Sequence, residues 1–188
     1  MRASRTIGTL RRILPVAAAA GLAAAGFGCR ATLPAEMSPG PTPTGNVELT
    51  AHIAELPYVT ADAGYRAAYA LRHGESSEAD FEELAAQLRQ ERIIGDWDMP
   101  PNGLLDRSQV GYMIARAIDL KRGLNWQVTG LGRYAWRELS YLGIASASTD
   151  FGFVPGGEFL GILLRASDYQ LQRRGSLTQR VDLGAPPG

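Results

Sequence analysis

Pro100–Ile118 reads PPNGLLDRSQVGYMIARAI. A turn-rich run meets a helix start here. Val110, Met113, Ile114, Ala117 and Ile118 then recur at the spacing of one buried helix face. Asp106 stands just before that helix, where a carboxylate takes up a free backbone N–H of the first turn. Arg107 sits at the junction. Free N–H groups at a helix start favour anions, and a guanidinium beside them grips a carboxylate with two prongs. The junction therefore reads either as a well-capped amphipathic helix or as an anion site.

Working outward, the same periodicity recurs. Six helical segments are expected and no strands: Val47–Glu55, Thr60–Arg72, Glu78–Arg92, Arg107–Leu120, Gly130–Leu142 and Gly156–Gln172. Each has one apolar stripe, so each needs neighbours to bury it.

Three of these starts align: YVTADAGYRAAYAL from Tyr58, LLDRSQVGYMIARA from Leu104 and FVPGGEFLGILLRA from Phe153. The capping residues Thr60, Asp106 and Pro155 fall together, 46 and 49 residues apart. The preceding helices of the second and third units align as well, LAAQLRQERII from Leu84 with AWRELSYLGIA from Ala135. The expected architecture is all-α, from helical-hairpin repeats, two clear and the first degenerate. One hairpin cannot close a core, whereas several packed together can.

The flanks have a different composition. Residues 1–29 carry Arg2, Arg5, Arg11 and Arg12 and no acid, then an apolar run, ILPVAAAAGLAAAGF, too short to span a bilayer comfortably. Export is expected. The run ends at Gly28-Cys29, the chain's one cysteine, which resembles a bacterial lipoprotein signal with Cys29 as the lipidated residue. Gly26 and Phe27 depart from that pattern, and cleavage after Ala23-Ala24-Ala25 is the alternative. Residues 30–46, rich in Pro, Gly, Ser and Thr, read as a flexible tether, and 173–188 as a disordered tail. Residues 47–172 form the repeat domain.

The chain's 19 basic and 19 acidic residues balance. Removing the four arginines of residues 1–29 leaves 15 against 19, a net of −4. That excludes a nucleic-acid partner, whose binding rests on clustered positive charge.

The second unit resembles an S-layer homology (SLH) domain repeat. In LRQERIIGDWDMPPNGLLDRSQV, Pro101-Asn102 precede Leu105-Asp106-Arg107-Ser108-Gln109-Val110 at the family's spacing. The third unit keeps Glu158-Phe159 but has Gly156 for the arginine, and the first has Ala61 there. The likeness spans about Val47 to Gln172 and is specific over Leu84–Ala117. It implies three repeats packed as a pseudo-trimer, and non-covalent attachment to cell-wall polysaccharide or peptidoglycan. It also implies an anion-binding role for Arg107, the one arginine kept at that position. Trp97 is expected to stack on a sugar face, with Asp98, Asn102 and Gln109 beside Arg107 in the ligand site.

Other chemistry is poorly represented. His52 and His73 lack metal-ligand spacing. Asp96 and Asp98 share one loop, with no third acid at a fixed place to make a glycosidase pair. The expectation is a non-catalytic envelope protein, without metal or cofactor, held to a membrane through lipidated Cys29. The alternative is a structural module that has lost its glycan site and binds an envelope protein.

Overall fold

The computed structural model describes residues 30–121 and 123–184, with side chains only to residue 175. The expected export signal, with Cys29, lies outside the described residues. Among the described residues seven α-helices follow one another: α1 (Asn46–Glu55), α2 (Ala61–His73), α3 (Phe81–Gln90), α4 (Arg107–Ala117), α5 (Leu124–Thr129), α6 (Gly132–Tyr141) and α7 (Gly156–Gly184). A 3-10 turn at Ala35–Met37 precedes them. No strand forms among the described residues, and the chain is all-α. Isolated bridges pair Thr32 with Gly103, Thr60 with Leu104 and Asp106 with Phe153.

Local chemistry sets the helix starts. The Thr60 hydroxyl accepts from the Ala63 N–H at the start of α2, and Asp80 accepts from Glu83 at the start of α3. Asp106 and Gln109 form a reciprocal capping box on α4, each side chain bonding the other's backbone N–H at 2.7 and 3.0 Å.

The segments just before α2, α4 and α7 meet one another. Val59 N–H donates to the Val154 carbonyl (2.9 Å), Leu105 to Val59 (3.0 Å) and Val154 to Leu105 (3.3 Å). This ring closes on itself, and all three side chains are fully buried. A second ring runs the other way round. Ala61 N–H donates to Gly103, Arg107 to Gly152 and Gly156 to Leu56, at 2.7, 3.0 and 3.2 Å. The second ring pairs the N–H of the first residue of each of the three helices, a donor that a helix leaves unpaired.

In the helix packing α4 lies on α6, α1 on α7, and α2 touches α1, α3, α4 and α7. The α4–α6 crossing is tight because Gly111 and Gly132 face each other's helix. A Cβ on Gly111 would come within 2.7 Å of the Trp136 nitrogen, and one on Gly132 would strike the Ser108 carbonyl. The aligned segments before the second and third units also turn alike. Arg92 (φ 59°) and Gly143 (φ 72°) hold matching positions in the left-handed region. Ile93 and Ile144 then donate to Leu88 and Leu139, both at 2.8 Å.

Three segments differ from the sequence reading. The expected tether is fastened at its beginning: Leu33 is buried, its N–H donates to the Asn102 carbonyl, and Leu104 donates to Ala31. An additional short helix, α5, appears between Gly123 and Gly130, both at positive φ, and buries Trp126. Helix α7 runs through Gly184 instead of stopping at Gln172. The added stretch, RRGSLTQRVDL, has no proline and is rich in straight-chain residues that suit a helix.

Candidate functional site

Arg107 is the first residue of α4, and the second ring aims it across the junction toward the start of α7. Its Nη2 donates to Glu158 Oε2 at 3.0 Å, and its Nη1 donates to the Phe151 carbonyl at 3.0 Å. The guanidinium carbon lies 5.6 Å from the centroid of the Trp136 ring. Glu158 is held from its other side by the Ser146 hydroxyl, which donates to Oε1 at 2.5 Å. Both charged side chains are about four-fifths buried, at 18 % and 20 % exposure. The Arg107 backbone N–H is spent on Gly152, and that of Gln109 on Asp106. The motif arginine is therefore engaged by carboxylate, carbonyl and indole within its own chain. Arg107 Nε and Trp136 Nε1 are buried there without a hydrogen-bond partner.

The other residues expected to bind ligand do not gather around Arg107. Trp97 is half-buried and meets Tyr112 edge-on at 5.6 Å, while its carbonyl accepts from Arg89. Asp98 is exposed on the same loop. Asn102 turns toward the N-terminal segment, its Nδ2 donating to the Leu33 carbonyl at 3.4 Å. Gln109 is absorbed by the capping box and by Met99, whose sulfur lies 3.7 Å from Nε2. Arg116, on the far side of α4, covers the Tyr112 and Trp126 rings at 5.3 and 5.0 Å.

Glu158 was legible as part of the Glu-Phe pair of the third unit, though not as the partner of Arg107. His52 was missed. It is 8 % exposed and lines a cleft of about 520 Å³, together with Thr60, Asp62, Pro101, Asn102 and residues of the 33–42 segment. Burial holds its ring below the ordinary pKa of 6.5, against smaller upward pulls from Glu55 and Asp62. An apolar cavity of about 290 Å³ lies between α1, α2 and α7, floored by Leu49, Ile53, Leu71 and Leu160. Among the described residues, no group of three or more His, Cys, Asp or Glu side chains is placed to hold a metal ion. No helix among them is long and apolar enough to cross a membrane.

No family model, no curated protein and no solved structure matches this chain.

Proposed function

We propose that the chain is a non-catalytic, exported cell-envelope module. In this reading its repeats pack as an SLH-like pseudo-trimer that binds wall glycan or peptidoglycan, and lipidation of Cys29 holds it at a membrane. The observation that carries the reading is the closed ring of Val59, Leu105 and Val154. Three positions matched by sequence alone, in three successive units, exchange backbone hydrogen bonds in cyclic order. The matched turns at Arg92 and Gly143 support the same register. The buried Leu33, four residues after Cys29, supports a domain held close to its anchor.

A second reading, a structural or protein-binding envelope module, is favoured by the Arg107–Glu158 pair. Glu158 takes the place an anionic ligand would need. Co-sedimentation with purified sacculi separates the two. Retention lost in Arg107→Ala but kept in Arg116→Ala places the glycan at the motif arginine, and retention kept in both places it elsewhere on the module. No retention at any salt concentration leaves the structural reading. Palmitate labelling abolished by Cys29→Ser tests the anchor, and hydrolysis of the sacculi by the protein would overturn the non-catalytic assignment.

A further inference from the structure

The cleft beside His52 has the chemistry that the Arg107 junction lacks. It opens where residues 33–42 pass over the end of α1 and the start of α2, opposite the Pro101-Asn102 turn. Its volume, about 520 Å³, falls within the roughly 300–1,000 Å³ of small-molecule sites.

Of the two histidines, His73 reaches Glu91 at 3.0 Å, whereas His52 has no hydrogen-bond partner among the described residues. The residue is 8 % exposed, and its ring nitrogens meet solvent through the open cleft that it lines, so they are free to bond a ligand there. As a neutral imidazole it presents one donor and one acceptor. The Thr60 oxygen accepts from Ala63, which leaves its O–H as a donor. Asp62 gives Oδ1 to Arg66 at 2.9 Å, so its charge is answered while Oδ2 remains an acceptor. Asn102 donates through Nδ2 to Leu33 and keeps its carbonyl oxygen. No lysine or arginine lines the cleft. The cleft offers both donors and acceptors without net positive charge, which matches hydroxyl and amide groups better than carboxylates or phosphates.

We propose that this cleft is the site for a neutral, polyhydroxylated ligand, a segment of a glycan strand, and that the Arg107 junction is not. The proposal rests on the glycan-binding reading above and names where that binding occurs.

The chain's two histidines make the test direct. In protein labelled at histidine, the ring resonances of His52 and His73 are followed while the N-acetylglucosamine tetramer is added at millimolar concentrations. The His52 signals are expected to move saturably while those of His73 stay in place. Asn102→Ala, at an exposed turn, is expected to weaken binding roughly fivefold, the scale of one neutral hydrogen bond. Arg107→Met is expected to leave it unchanged. Equal movement of both histidines, an unmoved His52, or binding abolished by Arg107→Met would each overturn the proposal. If sacculi retain the protein while His52 stays unmoved, the site is wrong and the glycan reading survives. If sacculi do not retain it either, both fail.

Discussion

Arg107 and Glu158 are joined across the junction of two helix starts, guanidinium to carboxylate at 3.0 Å, at positions 51 apart in the chain. Arg107 opens α4 and Glu158 lies in the first turn of α7. The Phe151 carbonyl fixes the arginine and the Ser146 hydroxyl fixes the glutamate, so each charged group is oriented before it meets the other. A pair held this way loses little side-chain freedom on forming, unlike an exposed ion pair. It ties the start of α4 to the first turn of α7.

The matching positions of the other units are closed differently. Gly156 stands where the second unit has Arg107, and a Cβ there would strike the Ile53 and Leu56 carbonyls at the end of α1. Backbone cannot yield as a side chain can. Gly156→Ala is expected to cost about 2–3 kcal/mol in urea denaturation. At Gly157 an added Cβ meets nothing within 4 Å. Gly157→Ala is expected to be neutral or to stabilise by up to about 1 kcal/mol, because alanine is the better helix former. Equal effects of the two substitutions would contradict the packing.

Asp106→Ala removes one half of the α4 capping box and should destabilise the fold by about 1 kcal/mol, whereas Asp106→Asn, which keeps a capping oxygen, should keep most of the stability. Thermal melts of the two variants are the check. The same cap positions Arg107, so a null result would mean the α4 start is held by the rings alone.

Much of this was legible in the sequence, and for local reasons. The caps at Thr60 and Asp106 and the apolar stripe of α4 depend on residues within a turn or two of one another. Val59, Leu105 and Val154 fall together when the three helix starts are aligned, but their exchange of backbone hydrogen bonds needed the structure. Helix α5 was not, since six residues between two glycines carry no full period. The pairing of Arg107 with Glu158 was hidden because it exists only once the ring has closed. The His52 cleft was hidden for another reason. One wall is the 33–42 segment, whose Pro- and Gly-rich composition reads as a tether, although Leu33 and the residues just before it are fastened to the domain.

Tyr65 offers a change of opposite sign. Its hydroxyl is buried without a partner, while its ring stacks on Phe81 at 5.6 Å. Tyr65→Phe keeps the stack and removes the orphan group, and should raise stability by about 1 kcal/mol. Burial also pushes the phenol up to about 12, against smaller downward pulls from Arg89 and Arg30. Between pH 10 and about 12 the unfolded chain therefore loses this proton first. Stability falls as pH rises through that window, and the Tyr65→Phe variant should lack this part of the loss. A variant less stable than the parent at neutral pH would show that the hydroxyl has a partner.

His52 gives the corresponding acid-side effect. Its folded pKa lies below 6.5, so the unfolded chain takes up the proton first as pH drops. Its contribution is complete above about pH 6.5 and is lost as pH falls toward the folded value, at up to about 1.4 kcal/mol per pH unit. Urea midpoints measured from pH 8 to pH 5 should fall less steeply in His52→Gln than in the parent. Parallel profiles would mean that the ring titrates as freely as an exposed histidine.

The Arg107–Glu158 tie itself is tested most directly by a double-mutant cycle on Arg107→Met and Glu158→Gln, read as unfolding free energy. If the pair ties α4 to α7, the coupling energy is about 1–2 kcal/mol, on the scale of one charge-assisted hydrogen bond. A coupling indistinguishable from zero, with the two single changes simply adding, would mean that Arg107 is not tied to Glu158 and that the arginine is available to an external anion after all.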